Sequence, residues 1–157
     1  MNANKFELGI SELLTENPKK EILKKISELL EKRPIKLSHL LKELRENSGV
    51  YLIYEREFKE GGLVYVGETR NLLGRLRVDI SYGRINKHTF LKKIAEEFNL
   101  SDQEEIKNKV ENDFLFSAIE TQSKEIAFVI EGIINRSCKP LFNKIQKDIG
   151  IQKYYFN

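Results

Sequence analysis

Hydrophobic spacing changes period at Gly49, and that switch limits the folds open to the chain more than any other feature. Before it, Ile22, Leu23, Ile26, Leu29 and Leu30 recur at helical spacing until Pro34 stops the run. Asn17-Pro18 offers a cap followed by proline at the first helical position. Ser38 is placed to cap a second helix with Leu40, Leu41 and Leu44 on one face. From Gly49 the runs turn short and β-rich: Gly49-Val50-Tyr51-Leu52-Ile53-Tyr54, then Leu63-Val64-Tyr65-Val66. The charged loop between them holds Gly61-Gly62. That pattern predicts a β-hairpin with a longer loop.

Helical spacing returns over Asn71 to Ile80 and again around Ile94 and Phe98. Ser101-x-x-Glu104 reads as a capping box opening another helix, Phe114 to Ile119 as a third strand, and Ser123 to Arg136 as a strong helix ended by Lys139-Pro140. The expectation is an α+β fold, a small antiparallel sheet of about three strands flanked by helices. Its expected organisation is an N-terminal helical extension (1–47), a main domain (48–145) and a C-terminal tail (146–157).

At 157 residues the chain matches one domain of ordinary size, and 40% apolar content is enough for a packed core. No apolar run approaches the ~18 residues of a membrane span. Lys5, Glu7 and Glu12 break up the N-terminal apolar residues, unlike a signal peptide. The lone Cys138 excludes an internal disulfide and a cysteine-based zinc finger. These features together predict a soluble, cytoplasmic protein with no membrane partner. Neither a Walker loop nor a GxGxxG motif is present, and His39 and His88 are too remote in sequence to form a helical metal pair.

The formal charge of +3 says little until it is divided along the chain. Between Glu68 and Lys93, seven basic residues face two acidic ones; residues 94–136 reverse the balance, with four basic against ten acidic. A local basic segment beside an acidic one suggests a phosphate-facing patch. Glu131 is conspicuous as the only charge between Ile126 and Ile134. A carboxylate in such a helix needs a partner, a metal ion or a route to water, or else a narrow exposed stripe. Tyr51, Tyr54 and Tyr65 all fall on the two hairpin strands, where tyrosines commonly serve as core or cross-strand pairs.

In these residues the chain resembles the GIY-YIG nuclease superfamily. Gly49-Val50-Tyr51 stands for the first triplet and Tyr65-Val66-Gly67 for the second. Gly67-Glu68-Thr69-Arg70-Asn71-Leu72 and Gly74-Arg75-Leu76 look like the segment that leads into the arginine helix. Glu131 matches the metal-binding glutamate on a later helix, and Pro140-Leu141-Phe142-Asn143 the proline and asparagine beyond it. The likeness covers about residues 48–145. It departs at Glu68, where excision-repair members often carry lysine, and at Asp79, where a histidine or tyrosine is common. Tyr82 or His88 is the candidate replacement for the latter.

The resemblance implies a metal-dependent DNA endonuclease. Glu131 would hold one Mg²⁺ (or Mn²⁺), Arg75 would bridge the scissile phosphate, and Tyr51 or Tyr65 would orient or deprotonate water. Asn143 would position groups around the metal or brace the hairpin, and His88 would serve in proton transfer or phosphate contact. Arg70, Arg77, Arg84 and Lys87 would contact flanking DNA phosphates. The alternative is a non-catalytic nucleic-acid-binding module of the same fold; a further one is an interaction domain whose N-terminal helices take a protein partner.

Overall fold

A computed structural model describes residues 16–57 and 62–143. The charged stretch around Lys5, Glu7 and Glu12, Gly61 of the hairpin loop and the expected C-terminal tail lie outside them. A sheet of three antiparallel strands, β1 (Gly49–Glu55), β2 (Leu63–Thr69) and β3 (Phe114–Glu120), runs in the order β2-β1-β3. Its helices are α1 (Glu16–Glu31), α2 (Leu37–Leu40), α3 (Leu72–Gly74), α4 (Thr89–Glu97), α5 (Gln103–Asp113) and α6 (Lys124–Cys138). No helix among the described residues is long and apolar enough to cross a membrane.

β1 reads as an unbroken apolar run because it is the central strand, covered on both faces. Tyr51 and Ile53 point into a core with Leu72, Leu76, Ile80, Phe90 and Phe116. Val50 and Leu52 point the other way, against Val66 of β2, Ile22 and Leu29 of α1, and Ala127, Ile130 and Ile134 of α6. The helix predicted from Ile22 to Leu30 thus supplies core to the same sheet. A bulge in β2 adjusts the alternation. Ile53 pairs with Tyr65 but Tyr54 with Leu63, so Val64 is the extra residue and lies in the same core that Tyr65 packs against.

Both open edges of this small sheet are covered, as unpaired strand edges invite aggregation. Along β3, Ile35 exchanges backbone hydrogen bonds with Phe116, while Lys25 and Lys32 of α1 donate from Nζ to the carbonyls of Glu120 (3.1 Å) and Ala118 (2.8 Å). Along β2, Phe142 N–H donates to the Val64 carbonyl at 2.7 Å. The Asn143 amide completes the cover with paired bonds to Val66, accepting from its N–H at 2.7 Å and donating to its carbonyl at 2.8 Å.

Local capping corrects several helix starts. Asn17 and Pro18 lie within α1 rather than before it. α2 is one turn, and Ser38 sits inside it with its N–H and hydroxyl both given to the Glu111 carboxylate of α5. α5 is capped by Asp102, not Ser101; the carboxylate accepts from both Glu104 N–H and Glu105 N–H at 3.1 Å, and its charge complements the helix N-terminus. Phe98 ends α4 partly exposed beneath the Lys109 ammonium. Ser123 does cap α6, and Lys139 ends it in the left-handed region with φ 46°.

Candidate active site

The two triplets meet across the hairpin because β1 and β2 pair Tyr51 with Gly67 and Ile53 with Tyr65. Tyr51 and Tyr65 are therefore diagonal neighbours on one face, their rings stacked with centroids 6.1 Å apart. Glycine is required at both ends of this arrangement. A Cβ on Gly67 would collide with the Tyr51 ring and hydroxyl, and one on Gly49 with the Ile119 carbonyl and the Leu72 side chain. The Gly67 vacancy is where the Tyr51 hydroxyl fits.

Beyond β2, the Asn71 side chain caps α3 by accepting from Gly74 N–H at 2.7 Å, but the helix expected to run on to Ile80 changes character at Arg75. Residues Arg75–Ser81 form a π-helical turn, a rare geometry that often marks functional sites. On this turn Leu76 and Ile80 are fully buried, and the Arg75 charge acts on both tyrosines. Arg75 Nη1 donates to Asp79 Oδ2 at 2.9 Å and to the Lys87 carbonyl at 3.3 Å, whereas its Nε is buried without a partner. Burial works against the Arg75 charge, and Asp79 and Tyr51 outweigh it. Burial pushes Tyr51 well above the ordinary tyrosine range, with Tyr65 adding to the rise and Arg75 opposing it. Tyr65 is raised by burial as well, and Arg75 pulls it back down.

His88 lies behind the tyrosines, 2% exposed. Its Nε2 is 2.6 Å from the Tyr51 hydroxyl, and its Nδ1 accepts from Phe90 N–H at 3.1 Å, capping α4. Burial, then the Arg75 charge, lowers His88 to about 3. Tyr82, the other candidate for this role, is exposed, with the Arg84 guanidinium 5.8 Å from its ring centroid.

Glu131 projects from α6 one position after buried Ile130, at the margin of the apolar stripe. Burial, followed by the charge of Glu68, raises it to about 7. Glu68 follows buried Val66 by two positions, which places both on the same strand face, toward α6; its Oε2 is buried with no hydrogen-bond partner. Tyr65 senses both carboxylates. Sequence reasoning met Glu68 only as a departure from a motif. The usable signal was its register, a carboxylate on the inward face of a strand.

Asn143 lies along the β2 edge, with its amide committed to Val66 as described above. Arg70, Arg77, Arg84 and Lys87 are all exposed on the segment around Arg75. A cleft of about 370 Å³ adjoins Asn143, lined by Lys93, Glu96, Glu97, Leu141 and Phe142, and includes none of the tyrosine, arginine or Glu131 groups. Among the described residues no group of three or more histidine, cysteine or acidic side chains could hold a metal ion, so any ion would rest on the Glu68–Glu131 pair and on oxygens from water or substrate.

No protein-family profile matches the chain, and no curated protein matches it. Among solved structures it is similar to the GIY-YIG N-terminal endonuclease domain of UvrC from Thermotoga maritima bound to its catalytic divalent cation, magnesium. That likeness has 19% identity, covers 68% of this chain and 94% of that one, and has a TM-score of 0.44. A point mutant of the same domain, also bound to its catalytic divalent cation, is similar at 16% identity, 68% and 93% coverage and a TM-score of 0.43.

Proposed function

We propose that the chain is a divalent-metal-dependent endonuclease that hydrolyses DNA phosphodiester bonds. One observation carries the reading: Tyr65 stacks on Tyr51 with ring centroids 6.1 Å apart, beside Arg75 and Glu68, whose Nε and Oε2 are both buried without a hydrogen-bond partner, with the charges of Arg75, Glu131 and Glu68 acting on it. A base-positioning phenol, a permanent cation and two carboxylates are the groups that phosphoryl hydrolysis needs in one place.

The carboxylates fit a divalent cation. Two such groups near each other, one with a buried oxygen lacking any partner, are costly without a positive charge between them. Glu131 and Glu68 would hold the ion, which when bound polarises the phosphate as a Lewis acid. Arg75, half-exposed and permanently charged, draws a non-bridging phosphate oxygen and stabilises the charge that grows there as water adds to phosphorus. Tyr65, less buried than Tyr51, is the phenol that orients the attacking water. Tyr51, 1% exposed, stands behind it. Arg70, Arg77, Arg84 and Lys87 hold the flanking backbone through largely sequence-independent contacts.

The test is chemical. A labelled DNA duplex incubated with the protein and Mg²⁺ or Mn²⁺ should acquire strand breaks that EDTA prevents. Duplex that is bound yet left intact under every metal condition would instead support the binding module, an outcome made plausible by Asp79, which already occupies the Arg75 guanidinium.

A further inference from the structure

His88 is the buried ionisable group that the proposed chemistry leaves without a task, and its two ring nitrogens have different partners. Nδ1 accepts from Phe90 N–H, so that nitrogen carries no hydrogen. With a cation at Arg75 and 2% exposure, the ring has no room for a second charge and is neutral. A neutral imidazole with a bare Nδ1 has its hydrogen on Nε2, and Nε2 faces the Tyr51 oxygen at 2.6 Å. The phenol oxygen is then the acceptor.

We infer that capping of α4 locks His88 as the Nε2–H tautomer, so that it donates to Tyr51 and turns the Tyr51 hydrogen outward, making His88 a positioning residue rather than a proton carrier. The neighbour available to that hydrogen is Tyr65, whose ring stacks on Tyr51. Donation runs one way, from Phe90 N–H to His88, from His88 to Tyr51, and from Tyr51 toward Tyr65. The α4 backbone sets its direction. Asp79 and Arg75, the charged groups that act on His88, lie on the π-helical turn and leave the ring neutral. The catalytic half of this inference rests on the nuclease reading; the tautomer does not.

Two variants separate the nitrogens. In His88→Asn the amide oxygen takes the place of Nδ1 and keeps the cap, asparagine being among the best capping residues, while the donor to Tyr51 is lost. In His88→Gln the longer amide reaches the Nε2 position and restores a donor. The chain has only two histidines, so ¹⁵N-histidine labelling of the intact protein gives two ring patterns, and His88→Asn identifies the one from His88.

Long-range ¹H–¹⁵N spectra should show a protonated Nε2 and a bare Nδ1 for His88, unchanged from about pH 5 to 8. His88→Asn should stay folded with a lowered melting temperature, since buried imidazole packing and the bond to Tyr51 are lost, and should lose on the order of 10- to 100-fold in kcat with KM unmoved and shift the Tyr51 ring carbon bearing the hydroxyl; His88→Gln should recover part of that rate. A bare Nε2, or a ring that gains a proton across that pH range, would overturn the tautomer. Wild-type kcat in His88→Asn would overturn the positioning role. If the wild-type protein cleaves nothing, the nuclease reading fails, and the ring-nitrogen and tyrosine signals still decide the rest.

Discussion

Replacing Glu131 by glutamine should make the metal-free protein more stable, and more so as pH rises. Burial and the Glu68 charge raise Glu131 from 4.5 to about 7. Its folded form therefore binds a proton more tightly than its unfolded form. Below about pH 4 both forms are protonated and the shift has no effect on stability. Between the two values the unfolded chain gives up its proton first, so stability falls with rising pH until the folded value is passed. A rise from 4.5 to about 7 corresponds to about 3 kcal/mol at the full conversion, and because the side chain is only partly buried, solvent screening reduces this to about 1–2 kcal/mol. Glutamine keeps the size and removes the titration. In EDTA, Glu131→Gln should unfold at the same temperature as wild type near pH 4 and ~3–6 °C higher near pH 8. Excess Mn²⁺ at pH 8 should reverse the order by stabilising wild type alone. Parallel pH profiles for the two proteins in EDTA would refute the buried-carboxylate reasoning.

Three further outcomes follow from other parts of the molecule. Gly67→Ala places a Cβ against the Tyr51 ring and should cost about 1–3 kcal/mol in urea unfolding; Gly132→Ala, with open space around its Cβ on α6, should gain about 0.5–1 kcal/mol. Equal effects from the two would contradict the close approach. Asn143→Ala removes both bonds to Val66 and uncovers the β2 edge, so it should cost about 1–3 kcal/mol and speed hydrogen exchange at Val66 N–H; unchanged exchange there would show that the edge is protected by other means. Arg77→Ala combined with Arg84→Ala should reduce the slope of log affinity for DNA against log salt by about 2, and an unaltered slope would remove both from the footprint.

The parts legible in the sequence were those set by period and by punctuation. Short β-rich runs around glycines marked the two hairpin strands, a short apolar run marked the third, and Ser123 with Lys139-Pro140 bounded α6. Missed features depended on partners distant in sequence. Ser38 lost its capping role to Glu111, 73 positions away. The π-helical turn at Arg75 has no period that sets it apart from an α-helix over seven residues. The pairing of the Asn143 amide with Val66 and the contacts of both His88 nitrogens, with Tyr51 and Phe90, likewise join residues far apart in sequence or set by local backbone geometry. Glu68 looked like a substitution because its meaning depends on α6, which closes over that strand face only in the folded chain.

Nicking of supercoiled plasmid tests the central claim most directly, with wild type, Glu131→Gln and Arg75→Ala compared in Mg²⁺ after each is shown to be folded. Cleavage by wild type alone, abolished by EDTA, is the result predicted by a site built on Tyr65, Arg75 and the Glu68–Glu131 pair. Cleavage that survives in folded Glu131→Gln or Arg75→Ala would contradict it.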